Sequence, residues 1–454
     1  MPKLSNLSLI FIYVGVGLAS RFRSRCSLGP VRSESCAART LCEMASKTTQ
    51  HQQKVDKLSR KTKHFRFHLC TWNVAWNDPT EDFTEVLYLK AKPLPDAYAI
   101  GLQEAGQPNS NVVTHIWTVA LTDALSPRGY VRVKSIRLQG LMLLLFVRVT
   151  HLLHLTNIES EFTRTGLAGF WGNKGGVSIR MDVNGINTCI VNCHLAAHQD
   201  EVGERIEDFY TIVENQRFRD KDVDFILDHD YVFWIGDLNF RLDDLKNEEV
   251  MECIKKREYS KLWPYDQLNK SREDGVIFLD FDEGPLDFPP TYKFDLGTDT
   301  YDTSKKSRKP AWCDRILWMV HEDAFEGIEL EAKQLNYTSH TSYTLSDHKP
   351  VTALFDIVVL AHPRPSPVTF VRTSRWYKTS DNTVTYRVEA GMAVSGWDWI
   401  GLFRANFRDF KDYSLYVWAI AGEGKPEYSV TFSKPSLLPL ESTGSATSAV
   451  QTTR

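Results

Sequence analysis

Polar side chains with catalytic potential flank several apolar runs that have the length of β-strands. Because residues at strand ends often converge on loops at one edge of a sheet, we expect these side chains to share one cleft. Carboxylates, amides and imidazoles, without a cluster of cysteines, suit a hard oxygen-liganded cation such as magnesium. Such a cation acting with histidine can hydrolyse phosphate esters. The residues concerned are Asn73, Gln103, Glu104, Asn192, His194, Asp237, Asn239, Asp314, Asp347 and His348.

The composition narrows the class of protein. The chain has 454 residues, a formal net charge of -3 and 8 cysteines. This length indicates a large domain plus a smaller one. The nearly balanced charge argues against a protein that coats nucleic acid, which would be basic overall. The cysteines are scattered and lack the spacing of zinc ligands, so we expect a reducing compartment.

The elements that must position these side chains are mainly strands. Asn184-Gly185 separates two apolar runs and predicts a hairpin turn, whereas Gly203–Arg217 has the periodicity of an amphipathic helix. Hairpins between some strands and helices between others predict a layered α/β fold with largely antiparallel sheets. The strands that lead to the polar residues are predicted over Phe65–Trp72, Asp96–Leu102, Thr188–Cys193, Tyr231–Ile235, Ile316–Val320 and Val351–Val359.

Five segments are predicted along the chain. We expect a leader and linker over 1–60, a large domain with the candidate site over 61–359, a proline-rich linker over 360–368, a small β domain over 369–434 and a tail over 435–454. Composition predicts disorder in the leader and the tail. The β domain is expected to be shortened, because the strand pattern ends after Phe432.

The leader contains an apolar run, Leu7–Leu18, that follows Lys3 and precedes three arginines. This pattern is typical of the apolar part of a secretory signal or of a short membrane anchor. The run is short for a transmembrane helix. The interpretation we favour is a leader without a role in the fold, upstream of a protein that normally starts near Met44.

Two longer motifs give a specific resemblance. The segments W-I-G-D-L-N-F-R at 234–241 and P-A-W-C-D-R-I-L at 310–317 resemble the signature motifs of the inositol polyphosphate 5-phosphatases. Supporting blocks occur in the family's order, and the resemblance covers roughly residues 64–358. The later blocks G-W-D-W-I-G-L-F and D-Y-S-L-Y-V-W resemble the SKICH domain of some members. The supporting blocks are T-W-N-V at 71–74, G-L-Q-E at 101–104, G-N-K-G-G-V at 172–177, N-C-H-L-A-A-H at 192–198, P-P-T-Y-K-F at 289–294 and S-D-H-K-P-V at 346–351.

The resemblance implies a fold and a reaction. The fold would be a four-layer DNase I-like α/β sandwich, of the endonuclease/exonuclease/phosphatase group, with a small C-terminal all-β SKICH domain. The reaction would be magnesium-dependent removal of the 5-phosphate from phosphoinositides by direct attack of water, without a covalent intermediate.

The resemblance also implies a role for each candidate residue. Glu104 would be the main magnesium ligand, with Asn73 beside it. Asp237 would orient and deprotonate the attacking water, and Asn239 would hold phosphoryl oxygens. The remaining residues would act on the phosphate or its neighbours: His194 and His348 as donors, Asp314 as the partner of His348, and Asp347 facing the water or the metal.

Substrate choice has a separate group of residues. The loop 305–309 is densely cationic in a slightly acidic chain, so it can pair with a phosphate dianion. Asn173 and Lys174 lie in a glycine-flanked loop whose backbone can approach a phosphate closely, and we expect them to sense the 1-phosphate. The family's group for the 4-phosphate corresponds to Tyr292, Lys293, Lys306 and Arg308.

Two other functions are compatible with parts of this pattern. A nuclease on the same scaffold would need a groove for nucleic acid, and the net negative charge and the 4-phosphate group argue against it. An inactive protein that tethers partners through its β domain would be expected to lack essential residues. Glu104, Asp237 and His348 are all present, which favours activity.

The expected partners are phosphoinositides at a membrane surface, with protein partners through the β domain and no nucleic acid. We expect a monomer in the cytoplasm, peripheral on the endoplasmic reticulum or the plasma membrane. The apolar stretch Phe162–Trp171 is hypothesised to dip into lipid. The ranking of 5-phosphorylated lipids against soluble inositol phosphates stays open at this point.

Overall fold

The structure is a computed structural model. It describes residues 9–14, 61–106, 111–166, 171–220, 223–361, 368–371, 380–388, 398–404, 406–419 and 427–433. Strands and helices are numbered below in chain order. The hypothesised lipid-contacting residues 167–170 lie outside the described part of the chain.

Two six-stranded sheets form the large domain. The first sheet contains β6 (Leu155–Gly166), β7 (Trp171–Val183), β8 (Ile186–His194), β9 (Tyr231–Asp237), β10 (Asp282–Glu283) and β11 (Asp314–Val320). The second contains β2 (Thr62–Asn73), β3 (Ala97–Gln103), β4 (Tyr130–Leu138), β5 (Leu141–Arg148), β12 (Ala332–Ser339) and β13 (Val351–Leu360). The first sheet has the order β10-β11-β9-β8-β7-β6 and the second the order β12-β13-β2-β3-β5-β4. Within these sheets β2–β3 and β8–β9 pair in parallel and the other neighbours pair antiparallel, as the sequence predicts.

Strands that are apolar on both faces create the layers. In β5, Leu143 and Leu145 pack into the core between the sheets, whereas Leu144 and Phe146 pack into a second core on the other side. A strand of alternating side chains can serve two cores only if both of its faces are covered. Helix α1 (Ile116–Leu125) contributes to the core outside the second sheet.

The first sheet is covered in the same way. Helix α2 (Val202–Asn215) contributes Phe209 and Ile212 to a third core, together with Val191 of β8. The order helix, sheet, sheet, helix confirms the predicted four-layer sandwich. Two shorter helices, α3 (Asn247–Lys255) and α4 (Gln267–Glu273), follow β9. No helix in the described part of the chain is long and apolar enough to cross a bilayer.

The C-terminal part forms two three-stranded sheets, ordered β14-β15-β18 and β1-β16-β17. Alternating residues such as Val384, Ile400 and Val430 fill a core of its own, which confirms a small all-β domain. Within 1–60, predicted to be leader and linker, the backbone of β1 (Leu9–Val14) pairs antiparallel with β16. The other strands are β14 (Val368–Phe370), β15 (Asn382–Val388), β16 (Trp399–Arg404), β17 (Tyr413–Trp418) and β18 (Tyr428–Phe432).

A turn of the C-terminal domain covers the edge strand β4 of the second sheet. The backbone N–H of Arg132 donates to Arg408 O at 2.9 Å, and Phe410 N–H donates to Arg132 O at 3.4 Å. The Arg132 Nε–Asp409 Oδ2 distance is 2.5 Å, and both side chains are largely buried. Phe403 and Phe407 extend the core between the sheets. The two domains therefore share a packed contact.

The ion pair of Arg132 and Asp409 makes this contact testable. Asp409→Asn would leave a buried guanidinium without its counter-charge, so we expect the full chain to lose about 3 kcal/mol of unfolding free energy. Arg387→Met is a matched control, because Arg387 pairs with Glu427 at the surface: the Arg387 side chain is 63% exposed and the Glu427 side chain 40%. Exposed pairs contribute about 0–1 kcal/mol. Denaturant unfolding measures the loss of unfolding free energy in each variant. Equal losses in Asp409→Asn and Arg387→Met would show that the buried pair does not stabilise the contact between the two domains.

Candidate active site

Three adjacent strands of the first sheet carry candidate side chains at the same edge, β8 and β9 at their last residue and the antiparallel β11 at its first. Asp237 of β9 is paired with His194 of β8 and with Asp314 of β11. The strands are longer than predicted at this end, because the ladder continues through these residues. The three side chains are therefore strand residues and not loop residues, and they are held with the rigidity of the sheet.

The second sheet brings Asn73 and Glu104 to the same place. Asn73 is the last residue of β2 and pairs with Gln103 of β3, so Glu104 follows directly. Across the two sheets Asn73 Nδ2 donates to Asp237 Oδ2 at 3.0 Å. Gln103 Nε2 donates to Asn192 Oδ1 at 2.6 Å, a second amide bridge between the sheets.

The segment before β13 completes the cluster. Ser346 Oγ donates to Asn73 O at 2.7 Å, and Trp72 Nε1 donates to His348 O at 3.1 Å. These bonds fix Asp347 and His348 beside the end of β2. Asp347 forms an ion pair with Lys293. Burial alone would raise the pKa of Asp347, but His348 and Lys293 hold it below its usual value.

His348 and Asp314 are in direct contact, as the resemblance implies. His348 Nδ1 lies 2.9 Å from Asp314 Oδ2, which also accepts from Thr291 Oγ1 at 2.6 Å. The other imidazole nitrogen, Nε2, lies 3.9 Å from Asp237 Oδ2. Burial lowers the pKa of His348, but the charges of Asp314 and Asp237 outweigh it and raise this pKa to about 9. The imidazole is therefore a cation near neutral pH.

Asp237 lies at the centre of these groups. Its Oδ1 accepts from Asn239 N–H at 3.1 Å, and its Oδ2 lies 3.2 Å from His194 Nε2. Burial alone would raise the pKa of Asp237, but His348, His194 and Lys174 hold it well below its usual value. A carboxylate of this kind binds a proton weakly, so it suits orienting a water molecule more than removing its proton.

Lys174 occupies a more central position than predicted. Its Nζ contacts His194 Nε2, and Asp237 and Glu104 act on its charge. Burial lowers the pKa of Lys174 to about 8. This position faces the reacting centre, whereas the sequence predicts contact with a more distant phosphate. The side chain of Asn173, its predicted companion, lies outside the described residues.

Asn239 and Tyr292 line the other side of the cluster. Asn239 adopts a left-handed backbone with φ of 58°, which asparagine tolerates. Tyr292 packs on His348 with 4.4 Å between ring centroids. Arg241, which the sequence predictions overlooked, contacts Asn239 Oδ1 and lies 4.3 Å from the Tyr292 ring centroid.

The two remaining predicted substrate residues lie on the loop that begins after Phe294. Arg308 N–H donates to Asp302 Oδ2 at 2.9 Å, and Lys306 N–H to Ser304 Oγ at 3.3 Å. Lys306 is exposed and Arg308 half-buried. Both cations are free to meet an anion from solvent. The charge of Arg308 acts on Tyr292 and Lys293, which adjoin the central cluster.

The backbone around Glu104 is unusual. Glu104 has φ of 53° and Trp76 has φ of 64°. Trp76 N–H donates to Glu104 O at 2.8 Å, and Ala105 N–H donates to Gly140 O at 2.8 Å. A Cβ added to Gly140 would lie 2.9 Å from the Trp76 ring and 3.2 Å from Glu104 Cα. Gly140 and Trp76 therefore hold Glu104, a role that sequence spacing does not reveal.

The groups available to a cation are of two kinds. Ligand atoms of Asp237, Asp314 and His348 lie within 4.8 Å of one another, but they already contact each other. The half-buried Glu104 carboxylate accepts no hydrogen bond from any described residue. Among the described residues Glu104 is thus a half-buried carboxylate with free coordination capacity, the buried Asp314 Oδ1 also lacks a hydrogen-bond partner, and Asn73 carries an amide oxygen nearby.

Comparisons with known proteins agree with this geometry. Residues 70–354 match the Endonuclease/Exonuclease/phosphatase family 2, and residues 368–444 match the SKICH domain. Phosphatidylinositol 4,5-bisphosphate 5-phosphatase A of Mus musculus is 43% identical over 390 residues, 82% of this chain and 39% of that protein. Inositol polyphosphate 5-phosphatase K of Mus musculus is 38% identical over 379 residues, 80% of either chain. The chain thus spans well under half of the first relative.

Solved structures support the same assignment. The inositol polyphosphate 5-phosphatase domain of SPsynaptojanin, in complex with inositol (1,4)-bisphosphate and calcium ion, is 35% identical with a TM-score of 0.61 and covers 69% of this chain and 90% of that chain. A Cimex nitrophorin shares the fold at 21% identity and a TM-score of 0.53, covering 65% of this chain and 99% of that chain. The chain therefore belongs to the inositol polyphosphate 5-phosphatase family and carries a C-terminal SKICH domain.

Proposed function

We propose that this enzyme is a magnesium-dependent phosphatase that removes the 5-phosphate from phosphatidylinositol 4,5-bisphosphate and 3,4,5-trisphosphate, and from soluble inositol polyphosphates. The observation that carries the proposal is the cluster of Asp237, His194, His348 and Lys174 beside the free carboxylate of Glu104. The cations His348 and Lys174, next to a metal ligand, suit an anionic phosphate whose charge grows in the transition state.

Glu104 and Asn73 are the residues that would hold magnesium. The Glu104 carboxylate has no hydrogen-bond donor among the described residues, and the Asn73 Oδ1 accepts only from Ala75 N–H at 3.0 Å. Carboxylate and amide oxygens are the ligands that magnesium accepts in proteins. When bound, the ion would neutralise charge on the phosphoryl oxygens.

Protein side chains supply the remaining functions, which are to orient the water and to donate hydrogen bonds to the phosphate. Asp237 orients the attacking water through a carboxylate that stays ionised. His348, held by Asp314, and His194, beside Lys174, donate to phosphoryl oxygens. Cys313 takes no part as a nucleophile, because burial raises the pKa of its thiol well above the usual value. In the proposed step water attacks the phosphorus directly, the bond from phosphorus to the ester oxygen breaks, a proton from the water ends on the departing oxygen to give the inositol hydroxyl, and no covalent enzyme intermediate forms.

The residues proposed to recognise the substrate lie beside this centre. Tyr292 and Lys293 adjoin His348 and Asp347, and the exposed Lys306 and half-buried Arg308 present positive charge to solvent. These residues suit a 4-phosphate next to the scissile 5-phosphate. Nucleic acid is not expected as a substrate. The names of the mouse relatives, a phosphatidylinositol 4,5-bisphosphate 5-phosphatase and an inositol polyphosphate 5-phosphatase, support this choice.

The setting of the reaction is part of the proposal. The enzyme would act as a cytoplasmic monomer, peripheral on the endoplasmic reticulum or the plasma membrane. Residues 61–359 would form the catalytic domain, and 369–434 a SKICH domain that contacts protein partners. Residues 360–368 would link the two.

Phosphate release by the full chain tests the proposal. Vesicles that contain each phosphoinositide, and soluble inositol phosphates, are offered with magnesium or with a chelator. We expect release only from 5-phosphorylated substrates with magnesium, and a loss of more than about 1000-fold in Asp237→Ala. Lys255→Ala, at the exposed last residue of helix α3, is the control and is expected to keep full activity. A folded protein that releases no phosphate would support the inactive tether.

The pKa of His348 predicts an alkaline limit. Because the folded-state pKa is raised to about 9 from 6.5, the imidazolium persists until the pH passes about 9. The stability that it contributes is likewise present below 6.5 and lost as pH rises through 9. Asp314→Asn removes the main counter-charge, so the alkaline limb of kcat/KM should move to lower pH. Asp356→Asn, which pairs with Arg66 elsewhere, serves as control. An unmoved limb in Asp314→Asn would contradict the assignment.

The packing around Glu104 predicts the effect of a single methyl group. Gly140→Ala would push on the Trp76 ring and on Glu104 Cα, so we expect magnesium to bind about tenfold more weakly. Calorimetric titration with magnesium measures this without catalysis. Gly203→Ala is the matched control, because a Cβ there meets nothing within 4 Å. Unchanged affinity in Gly140→Ala would contradict the inference that the packing at Gly140 positions Glu104 for the ion.

A further inference from the structure

We infer that Arg241 is a positioning residue that fixes the orientation of the Asn239 amide, so that Nδ2 and not Oδ1 faces the reacting phosphate. The inference rests on the proposed function and adds to it a residue outside the direct contacts of the substrate. Arg241 stands two positions after Asn239 in the chain, where the backbone turns away from β9.

The contacts between the two residues are specific. Arg241 Nη2 donates to Asn239 Oδ1, and Arg241 Nε donates to the backbone Asn239 O at 3.1 Å. Asn239 Nδ2 donates to Leu195 O at 3.1 Å. Asn239 is 3% exposed and Arg241 is 9% exposed, so water competes little for these groups. The amide oxygen therefore faces a hydrogen-bond donor, and the amide nitrogen faces an acceptor.

Hydrogen-bond chemistry permits only one of the two orientations of the Asn239 amide. A guanidinium can only donate, so the amide atom that faces it must be the acceptor Oδ1. Nδ2 then uses one hydrogen for Leu195 O and has a second hydrogen for another acceptor. A flipped amide would set its NH2 group against the guanidinium and its oxygen against Leu195 O. An anionic phosphoryl oxygen would then meet Oδ1 and be repelled.

Arg241 can impose this orientation because other groups hold it. Its backbone N–H donates to Gln267 Oε1 at 2.9 Å, and its carbonyl accepts from Gln267 N–H at 2.9 Å. The guanidinium lies 4.3 Å from the Tyr292 ring centroid, and the Tyr292 ring packs on His348. A planar guanidinium stacked on a ring has little freedom to rotate away. The fork of donors is thus fixed before substrate binds.

A simpler role would be a positive charge that strengthens phosphate binding. That role would not depend on Asn239, whereas amide orientation would. A double-mutant cycle separates the two, because residues that act as a unit give non-additive effects.

The experiment compares Arg241→Met in the otherwise unchanged chain and in Asn239→Ala, with soluble inositol 1,4,5-trisphosphate as substrate. We expect Arg241→Met alone to lower kcat about 10- to 100-fold, near the effect of losing one transition-state donor, with a smaller change in KM. In Asn239→Ala the same substitution should change kcat less than about threefold. Arg241→Lys, which keeps one donor, should restore part of kcat and supplies the same cycle if Arg241→Met does not fold.

Arg180→Met is the matched control. Arg180 is also buried, it donates from Nε to His229 Nε2 at 3.2 Å and from Nη2 to Asp182 Oδ1 at 3.1 Å, and it lies on β7 opposite Cys189, away from the Asn239 amide. Its loss should lower the unfolding midpoint but leave the kcat ratio between the two backgrounds unchanged. Equal losses for Arg241→Met in both backgrounds would overturn the inference. Absence of phosphate release from the unchanged chain would instead refute the proposed function.

Discussion

A carboxylate removed from water is costly unless opposite charges and hydrogen-bond donors surround it, and Asp237 is 1% exposed. Each of its partners comes from a different part of the fold: Asn73 from the second sheet, His194 from the neighbouring strand and His348 from the segment before β13. The two sheets, their register and the loops at this end must all be correct before this charge is satisfied.

The same requirement explains why the site contains so many charged groups. Asp237 and Asp314 raise the pKa of His348, and the resulting cation lowers the pKa of Asp237. Asp237 and His348 therefore keep each other ionised. Lys174 differs, because burial brings its pKa down to about 8. The cleft is therefore preorganised for an anion before the substrate arrives.

Much of this architecture can be predicted from the sequence, because the signals are local. Alternation and apolar runs such as Leu141–Val147 reveal strands, and the motifs around Asp237 and Asp314 identify the family. The strand β6 is harder, since its sequence L-T-N-I-E-S-E-F-T-R-T-G is polar on both faces of an edge strand. The helices α3 and α4 are short and half-exposed, so their periodicity is weak.

Other features depend on packing between distant segments. The position of Lys174 against His194 follows from the pairing of β7 with β8, and the tight space at Gly140 depends on the Trp76 ring. The orientation of the Asn239 amide depends on Arg241, and the presence of an arginine at that position does not by itself indicate this role. Spacing in a sequence indicates which residues share a site. It does not indicate which atom of each residue faces the substrate.

The turn that covers Arg132 has a further consequence for the open edge of the second sheet. An uncovered edge strand offers free N–H and C=O groups that can pair with another copy of the same sheet. Here both backbone groups of Arg132 are taken by the C-terminal domain, and the bulge between Arg132 and Lys134 twists the strand beside them. At Arg132 the C-terminal domain thus blocks the pairing of strand β4 with the edge of another copy of the sheet.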